Sequence, residues 1–169
     1  MSKLFRVIRF AFICTVVILV ACQKGTTSSS VAYKKDGGDN TISLNGMEKN
    51  ILYYINQHRR EIGKPELKMI DPASTAAEKH SANMAARRTG FGHEGFEDRV
   101  GNVGKQIGGI SGAAENVAYG ELTAQEVVNG WLHSPGHKKN IEGNYNLTGI
   151  GVAKDKNGTI FYTQIFLRK

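Results

Sequence analysis

The chain has 169 residues, a formal charge of +7 and two cysteines. Its basic residues form isolated pairs (Lys34-Lys35, Arg59-Arg60, Arg87-Arg88, Lys138-Lys139) with no run interleaved with aromatics, which excludes a nucleic-acid footprint. Both cysteines, Cys14 and Cys22, lie near the amino terminus, so the bulk of the chain carries neither a disulfide framework nor a thiol nucleophile.

Lys3, Arg6 and Arg9 precede an apolar run from Phe10 to Val20 broken only by Thr15. That run is shorter than the ~20 residues of a comfortable membrane span and reads as a secretory signal. Leu19-Val20-Ala21-Cys22 follows where such a signal is cleaved. These four residues resemble the bacterial lipobox, which implies diacylglycerol on the Cys22 sulfur, usually with a third chain on its amine, and a partnership with the membrane. Each buried methylene contributes ~0.8 kcal/mol, so more than one chain anchors stably. Gln23 replaces the aspartate associated with inner-membrane retention, which favours an outer membrane where the cell has one. Cleavage would remove three basic residues and leave a charge of about +4. The expected segments are a lipoprotein signal over 1–21, the lipidated cysteine with a polar tether over 22–43, and one folded domain over 44–169. Thr26-Thr27-Ser28-Ser29-Ser30 and Lys34 to Asn40 offer too little apolar surface to offset the entropy of ordering.

Met47, Ile51, Leu52, Ile55 and Ile62 recur at helical spacing, and Gly63 and Pro65 end the run. Glu66 to Met69 is short and extended. Asp71-Pro72 predicts an N-cap followed by proline at the first helical position, with Ala73, Ala76, Ala77, His80, Met84 and Ala85 carrying the helix toward Arg88. Thr89 to Gly95 is a loop, and Phe96 to Val103 holds one short helix. Ala114 to Gly120 is a short strand or extended segment. Thr123 with Glu126 three residues later forms a capping box for a helix that runs to about His133 and buries Val127, Val128 and Trp131. Ser134-Pro135-Gly136 breaks it, and a turn of helix resumes from His137 to Ile141. A hairpin closes the chain, Thr148 to Lys154 and Thr159 to Leu167 about the turn Asp155-Lys156-Asn157-Gly158. Helices first, a hairpin last and short strands between predict an α+β layered domain with an antiparallel sheet.

The side chains able to do chemistry are His93, Glu115 and His137, each in a stretch rich in glycine or containing proline. Two imidazoles and a carboxylate are the minimum for a metal site or an acid–base pair. His133 and His137 have helical ligand spacing, but Pro135 and Gly136 interrupt it, and His133 is expected at the surface. His80 falls on the inner face of its helix as a satisfied, partly buried histidine, and His58 outside the apolar stripe as a solvent-facing one. Ser134 lacks a nucleophile elbow and reads as a helix end. Gly149 and Gly151 alternate within a strand, where close backbone packing is expected rather than a phosphate loop.

An ordered set of motifs runs from one end of the domain to the other. It comprises Leu52-x-x-Ile55-Asn56-x-x-Arg59, His80-Ser81-x-x-Met84-Ala85, Gly92-His93, Glu115-Asn116-Val117-Ala118, Trp131-x-x-Ser134-Pro135-Gly136-His137-x-x-Asn140-Ile141, Gly149-Ile150-Gly151-Val152 and Tyr162-Thr163-Gln164-Ile165-Phe166. The set resembles the CAP superfamily (cysteine-rich secretory proteins, antigen five and pathogenesis-related proteins), in its compact bacterial branch. The resemblance implies an α-β-α sandwich with a central antiparallel sheet and an open cleft. Two histidines and two acids commonly line that cleft in the family, and some members bind zinc or another divalent ion there. Carried onto this chain, it makes His93, Glu115 and His137 the cleft residues and metal ligands, with Ser134 standing where a second acid is expected.

The expected function is that of a lipid-anchored cell-envelope protein whose cleft binds a divalent ion, a ligand or a protein partner, without defined turnover. A divalent-metal-dependent hydrolase of envelope peptides or glycans is the enzymatic alternative. A lipid- or sterol-binding protein is the third class, although no long apolar cavity is evident in the sequence. A purely structural His–Glu network is the bland counterpart of all three.

Overall fold

A computed structural model describes residues 44–169. The expected signal segment and the whole of the expected tether, Cys22 included, lie outside the described residues. The elements in chain order are α1 (Met47–Glu61), β1 (Lys68–Met69), α2 (Asp71–Ala85), α3 (Phe96–Ile107), β2 (Gly112–Gly120), α4 (Ala124–Leu132), α5 (Pro135–Ile141), β3 (Leu147–Lys154) and β4 (Ile160–Arg168).

The apolar stripe of α1 buries Met47, Ile51 and Ile55. Ile62 lies past the last turn and stays exposed, because the stripe ends where the backbone leaves the helix. Asp71 is the first residue of α2 and Ile70 its N-cap, with no side-chain capping bond. Asp71 therefore acts through its charge in the first turn, where the helix dipole favours an anion. The predicted capping box is present, with Thr123 and Glu126 bonding reciprocally. The helix predicted within Phe96–Val103 runs on to Ile107. Its two internal glycines lower helix propensity, but the turn packs: a Cβ on Gly104 would stand 3.2 Å from Ile110 Cγ1.

The sheet has the order β1-β3-β4-β2. β3–β4 and β4–β2 pair antiparallel, and the two-residue β1 pairs parallel with β3. The alternation of side chains along β2, β3 and β4 builds two layers of core. One face carries Ile150, Val152, Tyr162 and Phe166 against Met47, Ile51 and Ile55 of α1, Val127, Val128 and Trp131 of α4, and Ile141 of α5. The other carries Ile165 and Leu167 against Ala73 and Ala77 of α2 and Val100 and Val103 of α3. This is the predicted α-β-α sandwich, with one parallel pairing added at the β1 edge.

Two polar devices tie the layers. The Asn56 side chain exchanges two hydrogen bonds with the Leu67 backbone. Arg59 is buried and donates to the carbonyls of Pro65, Ile141, Gly143 and Tyr145, pinning the chain before β3 onto α1. On the opposite face α2 rides directly on β3. A Cβ on Gly149 would lie 2.0 Å from the Ala73 backbone, and one on Gly151 2.0 Å from the Glu78 backbone. The two strand glycines thus serve close packing, as their alternation predicts.

Candidate functional site

β2 is an edge strand, paired only with β4, and its odd-numbered residues from Ala113 to Tyr119 face the α2/α3 layer. Glu115 is consequently driven inward, with its side chain 2% exposed. A carboxylate stripped of water needs compensation, and three side chains supply it. Arg99, from the first turns of α3, grips it side-on, with Nε to Oε2 and Nη2 to Oε1 both at 2.9 Å. His93 Nδ1 lies 3.0 Å from Oε1. His80 Nε2 approaches the same oxygen at 3.9 Å.

Each histidine has a different station. His80 is buried on α2, and its Nε2–H donates to the Gly92 carbonyl at 2.8 Å, which fixes the loop that presents His93. Burial holds the His80 pKa below its ordinary value, and the Arg99 charge adds to this, while the Gly92 bond and Glu115 oppose it. His93 is 53% exposed. With Nδ1–H donated to Glu115, its Nε2 is left uncommitted by that bond. His137 lies in the first turn of α5 and is half-buried; burial lowers its pKa, and the charge of His93 pushes in the same direction. The main chain between them is fixed from the free edge of β2. Asn116 donates to the His137 carbonyl at 3.2 Å, and Asn140 donates to the Glu115 carbonyl and to Asn116 Oδ1.

Ser134 is the N-cap of α5 and makes no side-chain capping bond. It is half-buried, three residues before His137. His133 is exposed, its Nδ1 bonded to the Asn129 carbonyl. His58, expected to face solvent, is instead held at 2.9 Å by Glu142, with its side chain 18% exposed. That pairing spans 84 positions and brings α5 onto α1. Beside His93, an exposed aromatic wall continues along the same sheet face. Phe91 meets Tyr119 edge-on at 4.8 Å, and Tyr119 stacks over Phe161 at 6.0 Å.

Arg99 is the functional residue that sequence reasoning missed. Its only signal is indirect, since a glutamate that the fold buries needs a compensating cation. The aromatic wall was missed as well, because Phe91, Tyr119 and Phe161 belong to three different segments.

A resident divalent ion asks for about three protein donors converging on one point. Among the described residues, no group of three or more His, Cys, Asp or Glu side chains does so, and both Glu115 oxygens already answer Arg99 and His93. As they stand, these side chains do not fit such an ion at Glu115.

Comparison with known proteins agrees with the sandwich. The model of the CAP family, the cysteine-rich secretory protein family, matches residues 52–166. The chain belongs to that family. It is 33% identical over 129 residues to the uncharacterised protein YkwD of Bacillus subtilis, covering 75% of this chain and 49% of the relative. An extracellular protein containing an SCP domain from Bacillus anthracis superposes with a TM-score of 0.64 at 30% identity, over 74% of this chain and 41% of that one. An outer surface protein of Borrelia burgdorferi shares the fold with a TM-score of 0.66 at 21% identity, over 76% and 96% of the two chains. The chain thus spans about half the length of YkwD, and 34% of a second B. subtilis relative, the uncharacterised membrane protein YlbC.

Proposed function

We propose that this protein is held at the outside of the cell membrane by lipid on Cys22 and that its CAP domain binds a ligand or protein partner at the His93 lip. The observation that carries the reading is the pairing of a buried, neutralised Glu115 with an exposed His93. Arg99 supplies the countercharge, so Glu115 serves to orient His93 and presents no free carboxylate to a substrate. The imidazole offers its second nitrogen, in a fixed orientation, to an incoming polar group, and Phe91 and Tyr119 supply an exposed aromatic surface beside it. A few convergent polar groups next to aromatic rings are the usual makeup of a binding site. Location at the envelope is supported by the lipobox and by relatives described as extracellular, outer-surface or membrane proteins.

A second reading, hydrolysis of envelope peptides or glycans, is favoured by one feature. A histidine held through Nδ1 by a buried carboxylate, with Nε2 left uncommitted by that bond, is the arrangement of a general base. Against it, Arg99 already neutralises Glu115, which weakens the stabilisation that the carboxylate offers a protonated His93.

Binding is tested by titrating soluble peptidoglycan fragments into purified, isotopically labelled full-length protein. Saturable amide shifts are expected at Gly92–Glu94 and Tyr119, and their loss in Phe91→Ala/Tyr119→Ala with the melting temperature preserved. An absence of saturable shifts there overturns the binding reading for this ligand class. Release of fragments by wild type but not by His93→Ala would move the assignment to hydrolysis. Zinc titrated at neutral pH should bind wild type and His93→Ala/His137→Ala equally weakly; tight binding by wild type alone would restore the metal. Incorporation of an alkynyl fatty acid, abolished in Cys22→Ala, tests the anchor.

A further inference from the structure

Residues of α2 and α3 line an open groove of about 840 Å³. Its chemistry differs from that of the lip. Lys79 on α2 and Lys105 on α3 line it, with Arg99 and His80 also in its lining. Asn83 and Asn102 add carboxamides to the walls, and Asp71 is the one carboxylate among the lining residues. Neither lysine has a carboxylate within ion-pair distance among the described residues. The negative residues of α3's first turn, Glu97 and Asp98, do not line the groove. Two unpaired ammonium groups on two different walls thus face a shared cavity with little opposing charge.

Arg99 connects this groove to the lip. Its guanidinium gives Nε–H and one Nη2–H to Glu115 and one Nη1–H to the Glu94 carbonyl. The remaining Nη hydrogens are uncommitted by these bonds. Lysines act as mobile point charges toward anionic oxygens, and an arginine as a directional fork. A concave site focuses the field of such groups and raises the local concentration of anions.

We propose that the α2/α3 groove is a binding site for a small, multiply charged anion, held by Lys79 and Lys105 from its two walls and by Arg99. The amides of Asn83 and Asn102 give its oxygens neutral partners, and Asp71 repels an anion that extends toward the start of α2. The site is separate from the ligand site at the His93 lip, and it needs neither an exposed His93 nor the aromatic wall.

The test is isothermal titration of the purified full-length protein with inorganic pyrophosphate and, separately, with citrate, at fixed ionic strength. Saturable one-to-one binding of at least one anion is expected, and which of them binds separates a phosphate-bearing from a carboxylate-bearing ligand. Lys79→Gln/Lys105→Gln should weaken binding at least tenfold with an unchanged melting temperature, and Asp71→Asn should tighten it. Phe91→Ala/Tyr119→Ala should leave anion binding as in wild type, which keeps this result independent of the lip. The proposal is overturned if neither anion saturates, or if the double lysine variant binds as wild type does.

Discussion

Glu115 and Arg99 form a nearly dry ion pair, with side chains 2% and 11% exposed. Removing one member of such a pair leaves the other buried and unpaired, which costs more than losing the pair as a whole. Glu115→Gln is therefore expected to lower unfolding stability by about 3 kcal/mol in urea titration. Glu115→Leu/Arg99→Met should cost much less than Glu115→Gln alone, and equal losses would show that the pair is not a coupled unit. Arg59 poses the reverse case, a buried cation satisfied only by carbonyl oxygens. A lysine cannot reproduce that fan of donors, so Arg59→Lys should cost about 2 kcal/mol, read as a shift of the urea midpoint with an unchanged slope. Neither role could be read locally, since Arg59 sits in a basic pair that resembles solvated surface and its partners lie up to 86 positions away.

At the level of elements, the seating of α2 on β3 is decided by backbone against backbone. Gly151→Ala would push a methyl to 2.0 Å of the Glu78 nitrogen, which no rotamer relieves. The expected loss is about 3 kcal/mol or more, seen as a collapse of the melting temperature. Gly101, in the exposed interior of α3, has open space around the same position. Gly101→Ala should stabilise by roughly 0.5–1 kcal/mol through helix propensity alone. The pair of alanine variants discriminates packing from propensity with the same chemical change. Most elements were legible because their signals are local: the stripe of α1, the Thr123–Glu126 box, and the turn between β3 and β4. The last turn of α3 was not legible, because Gly104 reads as a helix breaker until Ile110 is seen against it.

For the whole molecule, two histidines link folding to pH. His80 and His137 both have pKa values lowered in the fold, first of all by burial. The unfolded chain therefore takes up protons, as pH falls through about 6.5, that the folded protein declines. Their contribution to stability is present above that pH and is lost as pH falls toward the folded values. The melting temperature should drop between about pH 7 and pH 5, and His80→Gln, whose amide can still donate to the Gly92 carbonyl, should flatten that profile. A profile unchanged by the substitution would contradict the assigned origin of the effect.

The order of helices and strands was legible in the sequence by itself, while the sandwich and the candidate residues His93, Glu115 and His137 followed from its ordered motifs and the family they resemble. The elements rest on periodicity, caps and turns that act within a few residues. Only the tertiary structure decided what those side chains do. It placed Arg99 and His80 around Glu115, turned His93 outward, assembled Phe91, Tyr119 and Phe161 into one wall, and set Lys79 across a groove from Lys105. Each of these depends on desolvation and charge compensation between distant segments, and neither exists until the layers have packed.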